Sequence, residues 1–303
     1  MAGPVVVIGA HIQGLFLHVE SVPAEGESVM GFGFEEPLDG GKASNQAVAA
    51  ARLGAPTVFV TVVGNDERAE RALRFFVEVG IETRFCVRLE GPTDVGFVLL
   101  PPSKIPAIAS AMDRNRELDA AIVERAAEAI TSASIVVCAL EAPQEAALAA
   151  FRLAREAGVR TILNPAPAAE LDPRLFGLTD VLVPNEHEAA ALAGRHGLPA
   201  ALAEELRDRL ALDAVIVTAG ADGAFVAEGG PVCHVRAERV EPVNTTGAGD
   251  AFVGALAVRL RAGDALEEAA AFAVRAATLS VTRAGTMLAF PTADEVRALG
   301  SAA

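Results

Sequence analysis

Two residue types are missing from the 303-residue sequence, and a third is nearly missing: it has no tryptophan, no tyrosine and only two lysines, Lys42 and Lys104. Without Trp and Tyr, only phenylalanine is left to stack on an aromatic ligand such as a nucleobase. The 25 Lys and Arg residues stand against 40 Asp and Glu, so the net charge is −15. Because nucleic acids are bound by clustered Lys and Arg, this composition argues against a nucleic-acid partner.

Cysteine is also scarce, and its three positions, Cys86, Cys138 and Cys233, are scattered along the chain. An odd number of cysteines without metal-ligand spacing predicts neither a disulfide framework nor a zinc site. No apolar run is long enough to span a bilayer, and the N-terminus lacks a basic region followed by a cleavable apolar stretch. We therefore expect a cytoplasmic protein without a membrane segment.

Short β-branched runs are frequent, and they alternate with alanine-rich segments long enough to form helices. The runs lie at residues 5–8, 58–63, 135–138, 161–163, 181–183 and 215–218. This alternation predicts an α/β fold with a mainly parallel central sheet and helices on both faces. Such sheets bind ligands beyond the carboxyl ends of their strands. The length and the 52% hydrophobic content favour a single domain over residues 1–303.

Two segments interrupt the alternation: residues 10–38, which are rich in Gly, Pro and Glu, and residues 94–106. We predict that their strands leave the core separately and pair above it as a small lid that excludes water from the site. Two unrelated surface loops are the alternative. Because exposed strand edges often pair with a second subunit, we also expect a homodimer through the lid.

The most informative motif is residues 244–258, where a glycine-containing turn runs into an apolar helix. Gly247 and Gly249 allow backbone N–H groups to converge on a phosphate, and the helix adds the positive end of its dipole. Asp250, at the junction, is placed to accept the proton of an alcohol. The motif therefore predicts phosphoryl transfer to a hydroxyl group. An N-capping aspartate is the alternative, but it leaves the glycines unexplained.

A second glycine-containing segment, residues 40–46, precedes an alanine-rich helix and offers Lys42 and Asn45 as donors. It is not a Walker A loop, because Glu36 stands at the first glycine position and Ala43 replaces the Ser or Thr that binds magnesium. Taken alone, this segment is equally typical of a glycine-capped helix start.

Together, the two segments resemble the signature regions of the PfkB (ribokinase-like) carbohydrate kinase family, in the same order and spacing. Further matches lie at residues 163–168, 184–188, 218–223 and 281–285, so the resemblance covers essentially the whole chain. It implies a ribokinase-like three-layer α/β/α fold and an ATP-dependent kinase that phosphorylates a hydroxymethyl group of a small sugar. It also implies magnesium-ATP as the phosphoryl donor.

The resemblance assigns roles to individual positions. Asp250 matches the general base, and the backbone amides of Gly247, Ala248 and Gly249 match the anion hole, in agreement with the reasoning from the turn itself. The residues that match positions around the sugar are Gly41, Lys42, Asn45, Glu141 and Asp250.

The ATP side of the site is also implied by the resemblance. The matching positions are Asn185, Thr218, Gly220 and Gly223. Asn185 and Glu188 match an element that holds Mg²⁺ through water, and magnesium does favour oxygen ligands and retained waters. The alternative for this pair is a helix cap, which is compatible with the metal role.

Two departures from the family pattern concern the substrate and a monovalent cation. Ile12 and Gly14 replace the Asn and Asp that grip sugar hydroxyls, so we expect a sugar with fewer such hydroxyls than ribose. His11 or Gln13 could compensate for this loss. Asn244 replaces the Asp that helps to hold a potassium ion, so we predict weak or absent potassium activation. A steep rise of activity with potassium at fixed ionic strength would contradict this.

Two other functions stay open. A nucleoside kinase of the same family would use Ile12 to contact a base, although the lack of Trp and Tyr disfavours stacking. A non-catalytic metabolite-binding homologue would account for the losses at positions 12, 14 and 244, but not for the intact turn at 247–250.

Overall fold

The computed structural model describes residues 2–37, 40–103 and 107–300. Residue 38 and residues 104–106, which end the two predicted lid segments, lie outside the described residues, and so does Lys104. In chain order the strands are β1 (Val5–Ile8), β2 (Gln13–Val19), β3 (Gly31–Glu35), β4 (Thr57–Val63), β5 (Ile81–Glu82), β6 (Cys86–Arg88), β7 (Val95–Leu100), β8 (Ala107–Ala111), β9 (Ile135–Ala139), β10 (Arg160–Asn164), β11 (Val181–Leu182), β12 (Ala214–Thr218), β13 (Ala224–Ala227) and β14 (Cys233–Val235). The helices are α1 (Lys42–Arg52), α2 (Glu67–Glu78), α3 (Ala120–Glu124), α4 (Ala127–Thr131), α5 (Gln144–Glu156), α6 (Pro173–Phe176), α7 (Glu186–Ala193), α8 (Pro199–Leu210), α9 (Ala248–Ala262), α10 (Leu266–Val281) and α11 (Ala293–Gly300).

The central sheet has the strand order β14-β13-β12-β11-β10-β9-β1-β4-β5, with β6 also paired to β4. From β12 to β5 the neighbours are parallel, and β13 and β14 add an antiparallel edge. Each predicted β-branched run forms a strand of this sheet, with bounds within one residue of those expected. The predicted mainly parallel sheet is confirmed.

Helices cover both faces of the sheet because successive strand residues point to opposite sides. In β1, Val5 and Val7 join a core with α1, α2, α9, α10 and α11. Val6 and Ile8 join the core on the other face, with α3 to α8. The result is the three-layer α/β/α arrangement that the sequence predicts.

A second sheet of four strands, ordered β3-β2-β7-β8, forms a lid. Strands β2 and β7 pair in parallel, while β3 and β8 add antiparallel edges. At the base of this lid, the Gln13 N–H donates to the Asp94 carbonyl at 2.8 Å. The buried Asn115 side chain donates to the His11 carbonyl and to the Asp94 carboxylate, which ties the starts of β2 and β7 together. The alternative of two unrelated loops is therefore wrong.

Within the part of the chain that the structure describes, no helix is both long enough and apolar enough to cross a membrane. The cytoplasmic location stays a prediction.

Candidate functional site

Polar and glycine residues collect at the carboxyl ends of five parallel strands. The connection after β1 leads past Ile12 to the lid, Glu141 follows β9, Asn164 ends β10, Asn185 follows β11 and Thr218 ends β12. Because these strands are neighbours in the sheet, their ends form one continuous edge. This edge is where an open α/β sheet binds its ligands.

Gly247 forms the turn that starts α9. Its φ is +78°, in the left-handed region, and a Cβ at this position would lie 2.5 Å from Thr286 Cγ2. Only glycine satisfies both conditions without strain. The Ala248 N–H donates to the Thr245 carbonyl at 3.3 Å, so this amide would have to change partner to bind a phosphate.

Asp250 lies at the third residue of α9 and is buried, with a relative exposure of 7%. Its carboxylate accepts hydrogen bonds from Asn45 Nδ2 at 2.8 Å and from Gln46 Nε2 at 3.2 Å. The side chain does not cap the helix, since α9 has no side-chain cap. The alternative of a capping aspartate is therefore wrong.

Close contact between α1 and α9 brings these groups together. A Cβ at Gly254, one turn beyond Asp250, would lie 2.7 Å from both Ala49 Cβ and the Gln46 carbonyl oxygen. The missing side chain lets the two helix backbones approach each other. The amides of Asn45 and Gln46 consequently reach a carboxylate more than 200 residues away in the chain.

The charged groups of the site perturb one another. Burial raises the pKa of Asp250, and although Lys42 and the two amide donors lower it, the net direction is upward. Burial raises the pKa of Glu141 to about 7 against the opposing effect of Lys42. Burial also lowers the pKa of Lys42, but the carboxylates of Asp250, Glu141 and Glu188 raise it by more. Lys42 is therefore a cation held among three carboxylates.

The glycine pair before α1 permits a close backbone contact. Gly40 and Gly41 have φ values of +110° and +79°, and a Cβ on Gly40 would lie 2.0 Å from the Ile12 carbonyl oxygen. The start of α1 is thereby pressed against the connection after β1. There the Lys42 N–H donates to Glu141 Oε2 at 2.5 Å, which joins two of the predicted sugar-binding positions.

Asn185 and Glu188 form a complete capping box at the start of α7. Asn185 Oδ1 accepts the Glu188 N–H, and Glu188 Oε2 accepts the Asn185 N–H, each at 2.9 Å. The helix-cap alternative is thus correct, and it leaves the second oxygen of Glu188 outside the capping bonds. Among the described residues, no cluster of three or more His, Cys, Asp or Glu side chains could hold a metal by itself.

The nucleotide-loop positions follow β12 directly. Thr218 forms a parallel bridge with Asn185, which places this loop beside the capping box. Gly220 and Gly223 have φ values of +50° and +91° around a 3-10 turn. A Cβ on Gly223 would lie 2.1 Å from the Val235 carbonyl oxygen, so packing against β14 already requires this glycine.

The two neighbours of Ile12 have polar side chains that are only partly engaged in hydrogen bonds. His11 Nδ1 lies 3.2 Å from Ser44 Oγ, and Gln13 Nε2 donates to the carbonyls of Gly14 and Pro37. All three side chains at positions 11–13 are buried. These hydrogen bonds hold the backbone and α1, while His11 Nε2 and Gln13 Oε1 are buried without a hydrogen-bond partner among the described residues.

Both polar atoms of the Asn244 side chain are engaged in hydrogen bonds. Asn244 Nδ2 donates to the Gly285 carbonyl at 3.2 Å, and Asn244 Oδ1 accepts the Thr246 N–H at 2.9 Å. Asn244 thus presents an N–H donor to the Gly285 carbonyl, where an Asp would present a carboxylate oxygen. Weak or absent potassium activation stays a prediction.

The structure adds two residues that the sequence reasoning missed. Gln46 Nε2 contacts both Asp250 Oδ1 and Asn164 Oδ1, the latter at 2.9 Å. A second amide next to Asn45, and an Asn that ends a buried strand, were the available signals. Neither signal specifies its partner, because the three residues lie far apart in sequence.

Comparison with known proteins agrees with this geometry. The model of the pfkB family of carbohydrate kinases matches residues 4–293. The chain is 33% identical over 304 residues to the ribokinase of Staphylococcus aureus, with 98% of this chain and 99% of the relative covered. It is also 33% identical over 298 residues to the deoxyribokinase of Salmonella typhi, with 96% of each covered.

Its fold superposes on the ribokinase of Arabidopsis thaliana, whose structure is complexed with ribose and ATP, with a TM-score of 0.92, 27% identity and 99% of each chain covered. The predicted ribokinase-like fold and the predicted class of enzyme are confirmed. With a family match along almost its whole length, the chain belongs to the pfkB family of carbohydrate kinases.

Proposed function

We propose that this chain transfers the γ-phosphoryl group of ATP to the hydroxymethyl group of a small sugar. The observation that carries the proposal is the buried Asp250 carboxylate, held by two amide donors behind a glycine turn. Such a carboxylate can accept a hydroxyl proton while the N-terminus of the helix faces phosphate. The similarity to ribokinases supports a sugar and ATP as the two substrates.

In this reaction the sugar oxygen bonds to the γ-phosphorus while the bond from that phosphorus to its bridging oxygen breaks, which releases ADP. The hydroxyl proton passes to Asp250. The backbone amides of Gly247, Ala248 and Gly249 stabilise the charge on the transferred group. The Lys42 ammonium, held among carboxylates, adds positive charge on the sugar side.

On the sugar side, the proposed binding residues are Gly41, Lys42, Asn45 and Glu141. Asn45 Oδ1 is buried and has no hydrogen-bond partner among the described residues, which supports its use as an acceptor for a sugar hydroxyl. Glu141 accepts the Lys42 N–H, so it is joined to the start of α1, which also carries Asn45. On the ATP side, the proposed residues are Asn185, Thr218, Gly220 and Gly223.

Magnesium is proposed to bind beside Asn185 and Glu188, through water. Both side chains offer oxygen, and Mg²⁺ is commonly held by one or two carboxylates together with substrate phosphates. When bound, the ion would neutralise charge on the phosphates. Burial raises the pKa of Glu188, so a nearby cation would also favour its ionised form.

The proposed acceptor is a sugar with fewer hydroxyls to grip than ribose. Ile12 is buried at 6% exposure where a polar side chain would hold such hydroxyls, and Gly14 has no side chain. His11 Nδ1 and Gln13 Nε2 are engaged elsewhere, and His11 Nε2 and Gln13 Oε1 have no hydrogen-bond partner among the described residues. The similarity to a deoxyribokinase is in keeping with this acceptor.

We further propose a single domain with a lid and a homodimer formed through that lid. Its strands expose large apolar side chains to solvent, each more than half exposed: Phe32, Phe34, Phe97 and Ile108. A surface of this kind, next to unpaired strand edges, is typical of an interface.

The proposed function is tested by measuring ADP release from magnesium-ATP across pentoses, hexoses, deoxy sugars and nucleosides. We expect a signal that depends on one class of sugar and falls by at least about 100-fold in Asp250→Asn. A signal with nucleosides alone would favour the nucleoside kinase. Ligand binding without ADP formation for any acceptor would favour the non-catalytic homologue.

A further inference from the structure

We propose that Gln46 is a positioning residue, which fixes the Asp250 carboxylate for proton transfer, and that Asn164 anchors Gln46. This inference rests on the proposed function of Asp250 as the general base. Gln46 itself is not proposed to touch the sugar or ATP.

The geometry is a chain of hydrogen bonds that crosses three elements. The Val183 carbonyl, beyond β11, accepts from Asn164 Nδ2 at 2.8 Å. Asn164 Oδ1, at the end of β10, accepts from Gln46 Nε2 at 2.9 Å, and the same nitrogen donates to Asp250 Oδ1 at 3.2 Å. The sheet backbone is thereby connected to the catalytic carboxylate through two amides.

The orientation of the Gln46 amide is determined by its partners. A primary amide has two N–H donors, and Gln46 directs one to the carboxylate and one to Asn164. With the amide turned over, Gln46 Oε1 would face the negative Asp250 oxygen. In the described residues Oε1 is buried without a hydrogen-bond partner, so the side chain keeps this orientation although one polar atom remains unsatisfied.

Burial separates the role of Gln46 from that of Asn45. Gln46 has no exposed surface, and it lies under the α1–α9 contact at Gly254. Asn45 also donates to Asp250, but its free Oδ1 is available to a sugar hydroxyl. When a sugar binds, Asn45 can shift with it, whereas Gln46 continues to hold the other carboxylate oxygen. Such fixed support is what a proton acceptor needs to stay in its productive geometry.

The charged groups that face Asp250 are Lys42 on α1, Glu141 after β9 and Glu188 on α7. Burial raises the pKa of Asp250, whereas Lys42 and the amide donors of Asn45 and Gln46 lower it. The charge of Asp250 in turn raises the pKa values of Glu141 and Glu188. Removal of the Gln46 donor leaves the other groups in place. The pKa of Asp250 should then rise, and activity should be lost at a higher pH than in the native enzyme.

The test compares the native enzyme with Gln46→Met, Asn164→Leu and the double variant, with Gln144→Met as a matched control. Gln144 also makes two hydrogen bonds, to the Glu170 carbonyl and from the Asp172 N–H, but it starts α5 on the opposite face of the sheet. For Gln46→Met we expect kcat to fall by about 10- to 100-fold with little change in the KM of the sugar. The acid limb of kcat/KM should move to higher pH.

For Asn164→Leu we expect the same changes in smaller degree, and the double variant should be no worse than Gln46→Met, because both substitutions break one chain of contacts. Gln144→Met should behave as the native enzyme. A kcat for Gln46→Met within twofold of native, with an unchanged acid limb, would overturn the inference while leaving the proposed function intact. If Gln46→Met does not fold, the same limits applied to Asn164→Leu decide the matter.

A second measurement does not depend on turnover. With aspartate labelled at its carboxyl carbon, Asp250→Asn identifies the Asp250 NMR signal, and its titration is followed in native protein and Gln46→Met. An upward shift in the variant supports the inference. An unchanged titration of Asp250 overturns the inference, whether or not any sugar is phosphorylated. If no sugar in the panel is phosphorylated, the proposed function fails, and the titration still decides the inference independently.

Discussion

At the scale of single residues, Asp250 carries its charge where burial opposes ionisation. Two amides and Lys42 offset part of that cost, and each comes from the short segment at the start of α1. Lys42, Asn45 and Gln46 are close in sequence, and one helix start can therefore direct all three donors to the same carboxylate. The site therefore depends on a few side chains whose positions are set by the helix that carries them.

Position 12 should determine the preference for the acceptor. If the apolar Ile12 has removed a hydrogen bond to a sugar hydroxyl, Ile12→Asn should raise kcat/KM for a pentose relative to its deoxy analogue by roughly tenfold. The ratio is measured with matched pentose and deoxypentose pairs. Ile12→Val, which stays apolar, is the control and should keep the native ratio. Equal ratios in all three proteins would exclude position 12 as a determinant.

At the scale of elements, the site is built by two helices that start at the same sheet edge. The α1 and α9 backbones approach closely at Gly254, and the strand ends of β9 and β10 supply Glu141 and Asn164 next to them. The glycine turns before both helices have positive φ values, which only glycine adopts readily. The helix starts are in this way held against the chain that follows β1 and against Thr286.

Gly254→Ala should separate the two helices. Its Cβ would meet backbone atoms of α1, which cannot move aside alone, so we expect a loss of about 1–3 kcal/mol in unfolding free energy. We also expect a lower kcat, because the bonds from Asn45 and Gln46 to Asp250 lengthen. Urea unfolding and steady-state kinetics measure both effects.

The control for this change is Gly177→Ala. Among the described residues, a Cβ at Gly177 would meet only the Arg174 carbonyl oxygen, at an ordinary 3.9 Å, and the φ of Gly177 is −66°. Its stability and kcat should match those of the native protein. If Gly254→Ala gave the same values as this control, close helix packing would not be what aligns the site.

At the scale of the whole molecule, a lid with solvent-exposed apolar side chains stands beside a deep site with four buried or partly buried charged groups. Both features have a physical consequence. The exposed apolar surface favours association with another chain, and the buried carboxylates lower the free energy of unfolding. Each is therefore open to a direct physical measurement.

The lid should be the interface of a homodimer. Ile108, on the edge strand β8, is 63% exposed, and Ile108→Glu would place a charge in the interface. We expect sedimentation velocity to show a native dimer and at least about tenfold weaker association for the variant. Leu198→Glu, 77% exposed before α8, is the control and should stay dimeric. A native protein that stays monomeric at all concentrations would contradict this prediction.

Glu141 should make stability depend on pH. Burial raises the pKa of Glu141 to about 7. At a pH between its ordinary pKa and 7, the folded protein therefore keeps a proton on Glu141 that the unfolded chain has lost. Stability from this group is therefore gained as the pH falls through 7 and lost above it. Glu141→Gln should melt higher than native by a few degrees at pH 8, and this difference should shrink toward pH 5. Parallel melting curves over this range would show that Glu141 does not carry the effect.

Much of the architecture followed from local patterns. The β-branched runs predicted the central strands to within one residue, because a buried parallel strand needs only apolar, β-branched side chains in sequence. The turn at 247–250 indicated phosphoryl transfer for a similar reason, since the glycines and the carboxylate act within one short segment. Family and fold could be inferred from such segments taken in order.

What the tertiary structure alone decided are the contacts between distant segments. Asn244 proved to donate to Gly285, and Gln46 proved to join Asn164 to Asp250. Each side chain has donors that suit several partners, so its sequence neighbours do not specify which one it meets. Only the packing of α1 against α9, and of both against the sheet edge, selects among them.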